Sequence, residues 1–167
     1  MQNQQFVVSL LVSNHAGVLT RVSSLFSRRS FNINSLTVGE TEDPRLSRMT
    51  IVSWGDDYMK EQIVKQLQKL VDVKKVQLMQ SERTVLRELM IVKIRIRKGE
   101  LSEAMEAVNT FRASIVDLSP DSISIEVTGE TSKLNAFLEY MRQYDIIEMC
   151  RTGPTAMGRG NYCLENE

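Results

Sequence analysis

The sequence predicts an α+β protein made of two tandem βαββαβ sandwiches. Three observations carry that reading. The spacing of apolar residues switches repeatedly between a period of 2 and a period near 3.6. The order strand, helix, strand, strand, helix, strand occurs twice along the chain. The polar stretch QSERTVLRE (80–88) separates the two copies. The expected domains are therefore 1–80 and 81–167, with a tail at the end of the second.

In the first copy, FVVSLLV (6–12) is an apolar run of strand length. Residues 17–29 place Val18, Val22, Leu25 and Phe26 on one helical face, with Thr20, Arg21, Ser24 and Arg28 elsewhere. A strand over 33–40 follows, in which Leu36 and Val38 alternate with Thr37. ETEDPR (40–45) is a turn punctuated by Pro44. RMTIVSW (48–54) is a β-rich strand. Asp56 and Asp57 suit a helix N-terminus by capping and by the helix dipole. Met59, Ile63, Leu67 and Leu70 form that helix's stripe, and VKKVQL (73–78) closes the unit.

The second copy repeats the order. Val92, Ile94 and Ile96 alternate with Lys93, Arg95 and Arg97. Leu101, Ala104, Met105, Val108 and Phe111 make a helical stripe. SIVDL (114–118) and SISIEVTG (122–129) read as a hairpin around Ser119-Pro120-Asp121. Thr131 or Ser132 can cap the next helix, which carries Leu134, Phe137, Leu138 and Met141. DIIEMC (145–150) is the last strand, and the polar, Gly-bearing residues from Arg151 read as a tail. Each copy is thus a ferredoxin-like sandwich with two helices on one face of a four-stranded antiparallel sheet. The other sheet face needs cover, so a homodimer or larger assembly is expected.

Composition sets limits on function. The 167 residues are 42% hydrophobic and 25% charged, an ordinary globular mixture. Lys+Arg and Asp+Glu number 21 each, so no global field draws the chain to nucleic acid or an anionic membrane. The N-terminal MQNQQFVVSLLVSN has no basic region and only a short apolar run, so neither signal peptide nor membrane span is expected. The two cysteines, Cys150 and Cys163, form no CxxC or Cys/His cluster. Reduced thiols and a cytoplasmic location follow as expectations.

Catalytic chemistry is hard to find. His15 is the only histidine, and any Ser/His/Asp or Cys/His apparatus would need it. It sits at a predicted strand–helix corner, where a surface loop role is the plain reading. GxGxxG, GxxxxGK[ST] and HExxH are absent. The pairs Glu40–Glu42 and Asp56–Asp57 lie in turns or at helix starts, as solvated or capping groups do. Lys93, Arg95, Arg97 and Lys98 read as a solvated strand face. An RNA-recognition domain shares the strand order, but it stacks bases on central-strand aromatics. Here those positions hold Leu36, Val38, Met49 and Ile51.

The corner NHAG (14–17) keeps two readings open. Gly17 in a first helical turn costs roughly 1 kcal/mol relative to alanine. It could serve a cap or tight packing. It could also admit a ligand's carboxylate to the N–H groups of Gly17 and Val18, where the helix dipole favours an anion. Asn14 could bind the ligand or cap the helix.

NHAGVLTRVSSLFSRRSFNINSLTVGETEDPRLSRMT (14–50) resembles the N-terminal ACT-domain signature of acetohydroxyacid (acetolactate) synthase regulatory small subunits. VLRELMIVKI (85–94), FRASIVDLSPDSISIEVTGE (111–130) and CRTGPTAMGRG (150–160) follow the same family pattern. The resemblance implies a chain without catalytic residues. Its partner would be a catalytic large subunit holding thiamine diphosphate, magnesium and FAD. The chain would raise that subunit's activity and confer feedback inhibition by a branched-chain amino acid, valine above all. It also implies a homodimer through the ACT domain, with the effector between protomers. Asn14, Gly17 and Val18 would come from one side, and Asn32 and Ile33 from the other. A free-standing ACT sensor of another enzyme or of transcription is the alternative.

Overall fold

The computed structural model describes residues 4–164. Two compact units emerge. One comprises residues 4–85 together with 155–164, and the other residues 86–154.

The first unit runs β1 (Gln4–Ser13), α1 (Val18–Arg28), β2 (Ser35–Glu40), β3 (Leu46–Gly55), α2 (Asp57–Leu67) and β4 (Val73–Leu78). Its antiparallel sheet has the order β2-β3-β1-β4, so β2 and β4 are the edges, and Leu36 and Val38, expected on a central strand, lie on the edge strand β2. Alternation places Val8, Leu10, Met49 and Ile51 under the helices, where they meet Val18, Val22, Phe26, Ile63 and Leu67. Of the stripes expected for the two helices, Val18, Val22, Phe26, Ile63 and Leu67 fall in the core and Leu25 and Leu70 at its margin, while Met59 lies outside it. Asp56 caps α2, its Oδ1 accepting from Met59 N at 2.9 Å.

The second unit holds the main length of β5 (Thr84–Arg95), then α3 (Leu101–Thr110), β6 (Ser114–Ser119), β7 (Ser122–Gly129), α4 (Thr131–Met141) and β8 (Ile146–Arg151). Its sheet order is β6-β7-β5-β8. Met90, Val92, Ile94, Ile123 and Ile125 face the helices and pack on Val108, Leu134 and Phe137. On the opposite face Lys93 pairs with Glu148 at 3.6 Å, and Arg95 with Asp145 at 3.2 Å. That basic row is an ion-paired, solvated strand face.

Three local expectations need correction. Neither Thr131 nor Ser132 caps α4. The cap position is Glu130, without a side-chain bond, because Thr131 Oγ1 donates instead to the buried Glu88 at 3.1 Å. The strand expected from residue 33 starts at Ser35. Asn34 N still donates to Val52 O at 2.9 Å, but the next contact is through a side chain, Ser53 Oγ donating to Asn32 O at 2.7 Å. The residues read as a tail are ordered: Thr155–Gly158 form β9, within the first unit. Ala156 N donates to Thr50 Oγ1 at 3.2 Å, and Arg159 N to Arg83 O at 2.8 Å. Ala156 and Leu164 are both buried. The helix-free face of the first sheet is therefore covered in part by the chain's own end.

Candidate functional site

The corner between β1 and α1 is built by four long-range bonds. Asn14 N donates to Arg45 O at 2.7 Å, and Ser13 N to Asp72 O at 2.8 Å. Asn14 Nδ2 donates to Pro44 O at 2.8 Å and to Glu40 at 3.3 Å. A carbonyl can only accept, so the side chain's NH₂ must face Pro44, and Oδ1 is the atom left for a ligand's donor. Asn14 thus ties down the β2–β3 turn and makes no cap bond to α1.

Gly17 occupies the cap position of α1 at φ 88°, in the left-handed region. No side chain caps this helix, and its first turn carries no acidic residue. Val18 N reaches His15 O only at 3.5 Å. The first-turn amides have no intrahelical acceptor. The helix start is consequently a cluster of donors whose dipole favours an anion. A Cβ at Gly17 would meet nothing within 4 Å, so open space lies beside the backbone there. The Val18 side chain is buried and anchors the turn to the core.

His15 is not idle. Its Nε2 lies 3.1 Å from Asp72 Oδ1, and its Nδ1 lies 3.1 Å from Ala16 O. Arg21 Nη1 donates to the other oxygen of Asp72. Asp72 is buried and gathers the corner, α1 and the start of β4 around one carboxylate. Sequence reasoning passed over Asp72. It follows α2 with no local signal that its partners lie 51 and 57 residues away. Glu40, read as a solvated turn residue, is a partner of Asn14.

Asn32 and Ile33 lie elsewhere. Asn32 is exposed, and Ile33 is half-buried against the core. Asn32 is held at Ser53, whereas Asn14 is held at Arg45. From 45 to 53 is eight residues of extended chain, about 26 Å at roughly 3.3 Å each. One copy of the unit does not bring Asn32 and Ile33 to Asn14, Gly17 and Val18. Among the described residues, no group of three or more His, Cys, Asp or Glu is placed to hold a metal.

Two family models match the chain. One is described as an AHAS small subunit-like ACT domain, over residues 8–75. The other is described as the small subunit of acetolactate synthase, over residues 87–160. A probable acetolactate synthase small subunit of Methanothermobacter thermautotrophicus is 50% identical over 162 residues, covering 96% of each chain. This chain belongs to the acetolactate synthase small-subunit family. The family's probable member from Archaeoglobus fulgidus is 52% identical, over 92% of this chain and 96% of its own length. A crystal structure of the acetolactate synthase small subunit of Thermotoga maritima superposes with a TM-score of 0.88. It is 43% identical and covers 95% of this chain and 99% of its own. The family assignment fits the fold described above, with an ACT domain as the first unit and a second ferredoxin-like sandwich after it. No helix among the described residues is long and apolar enough to cross a membrane.

Proposed function

We propose that this chain is the non-catalytic regulatory subunit of an acetolactate synthase. It activates a catalytic large subunit and confers feedback inhibition by valine. In this reading thiamine diphosphate, magnesium and FAD belong to the large subunit, and the assembly is cytoplasmic.

The observation that carries the effector site is the division of its residues between two ends of the ACT unit. β2 is an edge strand. Antiparallel pairing of β2 with its copy would set the Glu40 end of one protomer beside the Ser35 end of the other. Glu40 is bonded to Asn14, and Asn32–Ile33 lie just before Ser35, separated from it by Asn34 alone. Such a homodimer joins Asn14, Gly17 and Val18 of one protomer to Asn32 and Ile33 of its partner.

The chemistry of that composite site suits a free amino acid. The amides of Gly17 and Val18 take the α-carboxylate. Asn14 Oδ1, the Asn32 side-chain carbonyl and the Glu40 carboxylate accept from the α-ammonium. Ile33 supplies apolar enclosure for the branched side chain. Selection among branched-chain residues then rests on single methylenes, worth about 1–3 kcal/mol each.

Inhibition follows by linkage. Valine shifts the enzyme only through different affinities for its active and inhibited assemblies. Because the site spans two protomers, valine binding tightens the dimer. Reconstitution with the large subunit and titration of valine tests the reading. Activation by the small subunit and its loss on adding valine are expected. Absence of both effects overturns it.

A further inference from the structure

A groove of about 760 Å³ runs between α1 and the end of α2. It is separate from the proposed effector site, for none of Asn14, Gly17, Val18, Asn32 or Ile33 lines it. Its charged residues are Arg21, Arg28, Arg29 and Lys69, and no carboxylate lines it. Leu25 and Leu70, half-buried on the core, supply its apolar part. In a chain of zero net charge this is a local concentration of one sign.

Of these four, Arg21 is ion-paired, to Asp72. Among the described residues, Arg28, Arg29 and Lys69 have no ion-pair partner. Arg28 lies in the last turn of α1 and Arg29 at its cap, where the dipole favours a cation. That accounts for two arginines on the helix but leaves the cluster across the groove, with Lys69 opposite, unexplained.

The geometry selects the kind of anion. A compact phosphate is best held by backbone amides at a helix N-terminus. This groove instead runs along α1 from Thr20 to Arg29 and past the end of α2, and the carbonyl dipoles where those helices end repel a compact dianion. The cations are also spread out. Arg28 and Arg29 stand on the α1 side and Lys69 on the α2 side of the groove. Spaced carboxylates along a polypeptide match that separation. Arginine forks take carboxylates in bidentate fashion, and an apolar strip between cations accepts the intervening side chains.

We propose that the α1–α2 groove is a docking surface for an acidic polypeptide segment of the catalytic large subunit. This rests on the reading of the chain as that enzyme's regulatory subunit. The full-length chain and its large subunit test it, by association kinetics at low and high salt. The double variant Arg28→Glu/Lys69→Glu is expected to associate at least about tenfold more slowly at low salt, with a flatter salt dependence. Its valine affinity is expected to be unchanged, and Arg28→Gln/Lys69→Gln to lie between it and the native chain. A folded double variant with native association kinetics would overturn the groove alone. No complex with the native chain would overturn the groove and the regulatory reading together. Tripolyphosphate binding that the double variant loses, with large-subunit association unaffected, would overturn it in favour of a small-anion site.

Discussion

Asn14 and Asn32 are fastened to opposite ends of the same strand, β3. Asn14 donates to Arg45 O at its entrance, and Asn32 O accepts from Ser53 Oγ near its exit. Both also lie close to the edge strand β2, one through Glu40 and one through Ser35. That placement makes the proposed site testable by complementation. Gly17→Asp and Asn32→Ala damage different halves. Each variant alone is expected to lose valine binding. Mixed in equal amounts and re-equilibrated, half of the dimers are mixed, and each mixed dimer carries one intact site of two. Calorimetry should then recover about a quarter of the native valine sites. No recovery in a mixture proven to exchange protomers would exclude a site shared in this way.

Gly17 can be probed by itself, because its two properties separate. Its left-handed φ of 88° penalises any residue with a Cβ by about 1 kcal/mol, yet no neighbour would be struck. Gly17→Asn tolerates that conformation best and adds no charge. Gly17→Asp adds a carboxylate where the ligand's own is proposed to lie. Both are expected to lower unfolding stability slightly. Only Gly17→Asp should abolish valine inhibition while leaving activation of the large subunit in place. Equal valine sensitivity in the two variants would mean that the helix start does not meet the carboxylate.

The legible parts of this molecule are those governed by local periodicity. Val18, Val22 and Phe26 could be placed on the core face of α1 because helical spacing alone decides it. Asp56 as a cap was legible because a carboxylate just before a helix can accept from its free first-turn amides, another local effect. The corner at Asn14 and Gly17 stood out because glycine and asparagine mark it. Its partners did not, since Glu40, Pro44 and Asp72 reach it only through the folded sheet. The return of Thr155–Gly158 to the first unit was likewise illegible. Its decisive bond joins Ala156 to Thr50, 106 residues earlier, and a short polar run with glycines carries no strand period.

Asp72 is expected to matter more for stability than either cation it holds. Its side chain is 11% exposed, against 53% for His15 and 59% for Arg21. Asp72→Asn keeps the volume but removes the charge shared by both partners, and should cost about 1–2 kcal/mol in denaturant unfolding. His15→Ala removes a mostly solvated ring and should cost less than half of that. Because His15 serves this bridge, its loss should leave activation of the large subunit intact. Abolished activation with an intact fold would require a further role for the histidine.

The second unit has its own ion pair, with the carboxylate buried and the guanidinium partly so. Glu88 is 4% exposed and takes Arg151 in bidentate form, Nε to Oε1 at 2.8 Å and Nη2 to Oε2 at 2.9 Å. Thr131 donates to the same carboxylate, and Arg151 Nη1 donates to Asn135 at 2.8 Å. The pair links β5, β8 and α4. Glu88→Ala would strand the guanidinium and is expected to destabilise by about 3–5 kcal/mol. Glu88→Gln, which retains an acceptor for Thr131, should lose less. A cost below about 1 kcal/mol for Glu88→Ala would mean that water replaces the carboxylate without penalty.

Tyr144 gives the second unit an alkaline signature. Burial, followed by the charges of Glu103, Tyr140 and Glu100, pushes its phenol from 10.0 to about 12. Its hydroxyl is buried and has no hydrogen-bond partner among the described residues. Between about pH 10 and 12 the unfolded chain has released this proton while the folded chain keeps it. The folded state then binds more protons, so stability falls as pH rises through that window and is fully retained below it. Phenolate absorbance should show one of the four tyrosines ionising near pH 12. Tyr144→Phe should remove that step and flatten the alkaline loss of stability. At neutral pH the same variant deletes an unpartnered polar atom, so it should be as stable as the native chain or slightly more so. A marked loss at neutral pH would show that the hydroxyl has a hydrogen-bond partner in solution, and the late ionisation would need another cause.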